Sequence, residues 1–206
     1  MKLERVKLAI ASEGCQVTDD ANVILRAFSH PRSDQLRRPP SAAFAKNNLF
    51  DSETGQCAIV AVGYDDDQTA VSAIVGTERV HEPHDYQQAG EARYIGKPCF
   101  EMELLATDPD ARRRGHARRL VEAITHVSFD AGFDSVQAIW VADGAVPFWN
   151  SCGFTALPFI TFGDDRVLHN DGSNQPLPAD IALDAQPAAL DRLATFASAA
   201  NGRNVD

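Results

Sequence analysis

Residues 100–119 constrain this chain more than any other segment. An apolar run at 100–106 gives way to Asp108-Pro109. Then come Arg112-Arg113-Arg114-Gly115-His116-Ala117-Arg118-Arg119. Ala117, Leu120, Val121, Ile124, Val127, Ser128 and Ala131 follow at helical spacing. The segment predicts a strand, a turn and a helix. Five arginines crowd the helix start, in a chain of formal net charge -10. A helix N-terminus carries partial positive charge and N–H donors without intrahelical partners, so it attracts anions and repels cations. Arginines there need something negative among them. Gly115 lets a phosphate approach the backbone closely. Arginine-rich helix faces are usually only solvated. The N-terminal position, the glycine and the preceding strand argue instead for a site that takes a phosphate-bearing anion.

The rest of the chain reads as alternating strands and helices. Residues 1–54 read as helical and irregular, with Val6, Ala9 and Ile10 at helical spacing, as are Val23, Ala27 and Phe28. Residues 36–41, with Pro39 and Pro40, read as a loop. Residues 57–62 and 69–81 read as a hairpin turned at Asp65-Asp66-Asp67. Residues 82–98 form a long connection. After the helix, Gly132 suits a left-handed cap with Phe133 packed back on the last turn. Residues 136–141 are apolar on both faces, as a central strand is. Residues 143–152 read as a short helix closed by Gly153-Phe154. A strand follows at 155–162, where Pro158 suggests an edge or a bulge, and Gly163-Asp164-Asp165 turns it into 166–169. Residues 170–206 read as a linker and a last helix, with Pro187 in its first turn and Leu190, Leu193, Ala194 and Ala197 on one face. This order predicts a mixed α/β domain with a core at 55–169.

At 206 residues the chain is long enough for one real core. Its acidic balance argues against direct nucleic-acid binding and suits basic partners. No apolar run approaches a membrane span, and residues 1–5 lack a signal-peptide core, so an intracellular protein, cytoplasmic or nuclear, is expected. Cys15, Cys57, Cys99 and Cys152 are scattered and read as reduced thiols. His81, His84 and Asp85 form a loose cluster that is too common by chance to assign a metal, and none is expected. The P-loop and dinucleotide fingerprints are absent, as are GxSxG and HExxH.

Arg112-x-x-Gly115-x-Ala117 resembles the coenzyme A pyrophosphate signature of the GNAT acetyltransferases, (Gln or Arg)-x-x-Gly-x-(Gly or Ala). Residues 145–154, with Phe148-Trp149 and Gly153-Phe154, resemble that family's second motif. The resemblance covers roughly residues 55–165. Glu101-Met102-Glu103-Leu104 and Phe148-Trp149 look nearer to the chromatin-associated members. The resemblance implies a mostly antiparallel, twisted sheet flanked by helices, with two strands splayed into a slot for coenzyme A. It implies that acetyl-CoA is cradled by backbone N–H groups of Arg113, Arg114, Gly115, His116, Ala117 and Arg118. Side chains of Arg112, Arg113 or Arg118 add charge-assisted bonds. His116 contributes mainly its backbone. Leu105, Ala106 and Thr107 pair with the pantetheine arm, and Phe148 and Trp149 complete the cofactor site.

Acetyl transfer to an amine needs a neutral nucleophile, and lysine ionises near pH 10.4, so a base must take its proton. The resemblance places that base at Glu101. Glu103 shares its strand face, and two like charges there predict that one carboxyl is driven toward proton work. Backbone N–H groups near Leu105 polarise the thioester. Many family members carry a tyrosine where this chain has Trp149, which is no useful acid, and an asparagine where it has Ala142. The acceptor is a primary amine, either small or on a protein N-terminus, lysine or basic tail, and the assembly a monomer or homodimer. The alternative is a GNAT-like module that binds coenzyme A or a partner without catalysis.

Overall fold

The computed structural model describes residues 3–10, 50–51, 56–81, 94–162, 165–172 and 176–202. The strands are β1 (Leu3–Ile10), β2 (Phe50–Asp51), β3 (Gln56–Cys57), β4 (Ile59–Asp65), β5 (Ala70–Val80), β6 (Pro98–Thr107), β7 (Ser135–Val141), β8 (Thr155–Phe162), β9 (Asp165–Asn170) and β10 (Ala182–Ala185). The helices are α1 (His116–Asp130), α2 (Val146–Ser151) and α3 (Pro187–Asn201). Eight strands form one sheet in the order β10-β1-β4-β5-β6-β7-β9-β8. The β1–β10 and β6–β7 pairs are parallel, whereas β1–β4, β4–β5, β7–β9 and β8–β9 are antiparallel. The mixed α/β class and the mostly antiparallel sheet follow the sequence reading.

Contacts divide the chain into two compact units. The first comprises Met1–Gly76, Leu104–Ile124 and Leu177–Ala189. Here β4 is buried along its whole length, and Val6 and Leu8 of β1 are fully buried beside it. The helical reading of residues 3–10 is overturned. Arg5 and Lys7 alternate with Val6 and Leu8, which is the period of a strand with one buried face. β4 supplies the antiparallel partner, and β10, which the sequence reading left inside a linker, supplies the parallel one. The hairpin turn is held by Asp65, whose Oδ1 accepts from the N–H groups of Asp67 and Thr69 at 3.1 and 2.9 Å.

The second unit comprises Thr77–Glu103, Thr125–Pro176 and Leu190–Asp206. One face of its strands is aromatic and dry. Phe100 meets Phe133 edge-on with ring centres 6.2 Å apart, and Phe133 stacks on Phe196 of α3 at 6.0 Å. Gly132 closes α1 in the left-handed region, and the Phe133 N–H bonds back to the Ser128 carbonyl, as the cap chemistry predicted. α3 begins at Pro187 as expected, but its buried face differs from the expected one. Ala189, Leu193, Ala197 and Ala200 are buried, whereas Leu190 and Ala194 are exposed. The stripe runs through small residues, which let the helix lie close. Within this unit, Arg192 of α3 grips the buried carboxylate of Glu78 with two N–H groups. β8 lies at the sheet edge, and Pro158 falls where its register with β9 shifts, between Ala156 and Thr161, so edge and irregularity coincide there. The helical spacing at Val23, Ala27 and Phe28, the 36–41 loop, the turn at 163–164 and the His84–Asp85 cluster lie outside the described residues.

Candidate active site

The anion turn belongs to the first unit. Its strand end is pinned by Ser72, whose hydroxyl donates to the Ala106 carbonyl at 3.0 Å and lies 3.2 Å from Thr107 Oγ1. The Asp108 N–H donates to the Val71 carbonyl. Asp108 then caps a single 3-10 turn, Pro109–Ala111, by accepting from the Asp110 N–H at 3.0 Å. Arg112 folds its Nε back toward the Thr107 carbonyl, at 3.4 Å. Arg113 and Gly115 both sit at positive φ, 62° and 86°. Left-handed residues next to a helix start turn successive N–H groups the same way, which makes an anion-binding concavity. The first helical bond of α1 runs from the Arg119 N–H to the Gly115 carbonyl. The N–H groups of His116, Ala117 and Arg118 therefore have no carbonyl four residues back within the helix.

The turn fits a phosphate on three further counts. No acidic residue stands in the first turn of α1 to neutralise the dipole. Arg112, Arg113, Arg114 and Arg118 are exposed. A Cβ built on Gly115 meets nothing within 4 Å, so the space beside it is open. Arg119 departs from the group. It pairs with Asp180, another residue of this unit. His116 also departs from a solvated role. It is 1% exposed, and neither ring nitrogen has a hydrogen-bond partner among the described residues. Burial lowers its pKa, and Arg114 lowers it further, against an opposing pull from Asp65. The imidazole is therefore held neutral and packs as core.

The carboxylates belong to the second unit. Glu101 and Glu103 lie on β6, two residues apart, with Glu101 buried. Arg79 Nε lies 2.9 Å from Glu101 Oε2, and Thr77 Oγ1 donates to Glu103 Oε1 at 2.8 Å. Each carboxylate has its own partner from alternate residues of β5. Cys99, beneath Glu101 on β6, is a buried free thiol. Burial pushes its pKa well up, and the Glu101 charge pushes it further. Cys152 is the other free thiol among the described residues, while Cys15 and the Cys57 side chain lie outside them.

Register extends this polar face across the unit. Glu101 is paired with Gln137 on β7, and Gln137 with His169 on β9. Cross-strand partners share a face, so the three form one row, and all three are buried. The Tyr94 hydroxyl donates to Asp171 Oδ2 at 2.6 Å and lies 2.9 Å from His169 Nδ1. A hydroxyl has one proton to give, so Nδ1 of His169 must carry its own and donate. Tyr94, Gln137 and His169 escaped the sequence reading. They are far apart in sequence. Register brings Gln137 and His169 together, and the Tyr94 hydroxyl reaches His169 from the turn before β6.

Phe148 and Trp149 lie on α2 in the same unit. Trp149 is 6% exposed and packs edge-on against Phe148 and Phe154, with ring centres 5.3 and 5.1 Å away. This indole is core packing that fixes the helix.

Three solved structures share the fold. A coenzyme A-dependent acyl-homoserine lactone synthase is 14% identical, with TM-score 0.60, over 91% of this chain and 97% of that one. A polyamine N-acetyltransferase from Drosophila melanogaster is 14% identical, with TM-score 0.51, over 80% and 100%. An N-acetyltransferase from Thermoplasma acidophilum, in complex with coenzyme A, is 13% identical, with TM-score 0.51, over 81% and 99%. Among curated proteins, no sequence matches this chain. The family model of the acetyltransferase (GNAT) family matches residues 22–154, well over half the chain, and includes both the arginine turn and the Gly153-Phe154 motif. The chain is an acyltransferase and belongs to the GNAT family.

Proposed function

We propose that the chain transfers an acetyl group from acetyl-CoA to a primary amine by direct attack in a ternary complex. The turn at 112–117 carries this reading. Two left-handed residues, an acid-free helix start and exposed arginines suit a pyrophosphate. Acetyl-CoA supplies the activated thioester. The backbone N–H groups of 113–118 hold its diphosphate, and Arg112, Arg113, Arg114 and Arg118 screen the charge. Leu105, Ala106 and Thr107 present strand backbone to the pantetheine arm, and the Leu105 N–H polarises the carbonyl.

Glu101 accepts a proton from the acceptor ammonium, and the neutral amine so formed attacks the thioester carbonyl. Its burial keeps that carboxylate out of competition with bulk water, and Arg79 fixes its orientation. Glu103, held by Thr77, adds negative charge on the same face and favours a cationic acceptor. The buried indole of Trp149 offers no acid to the departing thiolate, which leaves unaided or through solvent. That feature supports the second reading, a chain that binds coenzyme A without turnover. Acetyl-CoA titration by calorimetry, followed by coenzyme A release with agmatine, polyamines and basic peptides, separates the two. Saturable binding with amine-dependent release is expected. Binding without release from any amine favours the second reading, and no binding at millimolar ligand removes both.

A further inference from the structure

We propose that Glu78 and Arg192 are positioning residues for acetyl transfer: through this pair α3 holds the end of β5, and the end of β5 aims the carboxylates of β6. This rests on the reading of Glu101 as the base. The end of β5 carries three polar residues in a row, Thr77-Glu78-Arg79. Side chains of a strand point to opposite faces in turn. Thr77 and Arg79 take the face of the carboxylates. There Thr77 Oγ1 donates to Glu103 Oε1 at 2.8 Å, and Arg79 Nε lies 2.9 Å from Glu101 Oε2. Glu78 takes the other face, and its side chain is 1% exposed. Nε and Nη2 of Arg192 donate to its two carboxylate oxygens. The grip of α3 thus falls between the two contacts that hold Glu101 and Glu103.

The place of this grip lets it set the geometry. The pairing of β4 with β5 ends at Ile59 opposite Gly76, where β4 begins, so residues 77–80 run past β4. The α3 side is a firm platform. Phe196, one turn beyond Arg192, stacks on Phe133, and Leu193 and Ala197 are buried. Arg192 is therefore presented by a docked helix to a strand end that β4 does not pair.

Stability alone does not call for an ion pair here. A buried carboxylate loses its hydration, and attraction to a guanidinium offsets little more than that loss. Apolar side chains of similar volume often fill such sites as stably. What the pair adds is direction. A guanidinium that meets both oxygens fixes where the carboxylate sits and how its plane is turned. A base must lie within hydrogen-bond reach of the proton it takes, and a misplacement of about 1 Å can cost about 10²-fold in rate. Arg79 keeps Glu101 within that reach while the end of β5 is held.

The test replaces the pair by apolar residues in the full chain, Glu78→Leu together with Arg192→Leu. Arg192→Leu alone leaves a buried charge without its cation and can unfold the chain. The first readout is solvent exchange of the Arg79 Nε–H by NMR, with the signal assigned by its loss in Arg79→Gln. The second is coenzyme A release with the fastest of agmatine, polyamines and basic peptides. In the double variant the Nε–H is expected to exchange about tenfold faster, and kcat to fall by about tenfold. The melting temperature stays within a few degrees of wild type, and the Kd of acetyl-CoA does not change. Glu78→Gln still offers Arg192 an oxygen and is expected to recover most of kcat. In the Arg79→Gln background the apolar pair is expected to add no further loss, because both changes act on one contact. Unchanged Nε–H exchange overturns the proposal, as does a loss in kcat that adds in full to that of Arg79→Gln. A collapse of the melting temperature in the double variant also overturns it, by making the pair a prop of the fold. If no amine is acetylated, the acetyltransfer reading fails by itself, and the Arg79 exchange still decides whether α3 sets the Arg79–Glu101 contact.

Discussion

A buried carboxylate beside a guanidinium is common as structure, so Glu101 must be tested by a change that keeps its shape. Glu101→Gln retains the volume and one acceptor oxygen for Arg79 but cannot take a proton. Turnover is expected to fall by about 10² to 10⁴, the usual worth of a general base. The calorimetric Kd of acetyl-CoA stays near wild type. Unchanged coenzyme A release removes Glu101 from the mechanism. Glu103→Gln keeps an acceptor for Thr77 and is expected to act mainly on the KM of cationic acceptors. The two glutamates were legible in sequence as a same-face pair. Their different partners were not, because Thr77 and Arg79 come from another strand.

At the scale of elements, the start of α1 is a device of backbone. The arginines drew attention to it, but the conformations of Arg113 and Gly115 shape it. Gly115→Glu adds a side chain at φ 86°, a strain of about 1–2 kcal/mol, and puts a negative charge where the diphosphate binds. Acetyl-CoA binding is expected to disappear in calorimetry while the melting temperature falls only a few degrees. Gly115→Ala carries the strain without the charge, and its Cβ meets open space. It is expected to bind acetyl-CoA measurably but more weakly. If both variants bind like wild type, the turn does not hold the cofactor. The strand, turn and helix here were readable because each signal is local. The β1 strand was not. Its spacing fits either period over so few residues, and pairing with β4 and β10 settles it.

For the molecule as a whole, one buried group ties stability to pH. His116 is held neutral with its pKa below the ordinary value near 6.5, chiefly by burial. The unfolded chain then binds a proton more readily than the folded one. The stability this group contributes is fully present above about pH 6.5 and is lost as pH falls toward the lowered folded value. Urea unfolding at pH 5 and pH 7.5 should show the chain weaker at the lower pH. His116→Leu fills the buried site without a titrating ring and should narrow that difference. A gap of the same size in the variant assigns the pH dependence to other groups.

The sequence by itself determined the local units. These are the hairpin, the strand–turn–helix with its anion turn, the capped end of α1 and the family to which they belong, because each is written in contiguous residues obeying one period or one cap. Only the tertiary structure decided which distant residues meet. The row Glu101–Gln137–His169 and the bulge at Ile139 and Trp140 arise from strand register, and the Tyr94–Asp171 hydrogen bond joins residues 77 apart in the chain. Register is fixed by burial summed over a whole sheet, and a shift of one residue reverses every face. No short stretch of chain carries that information.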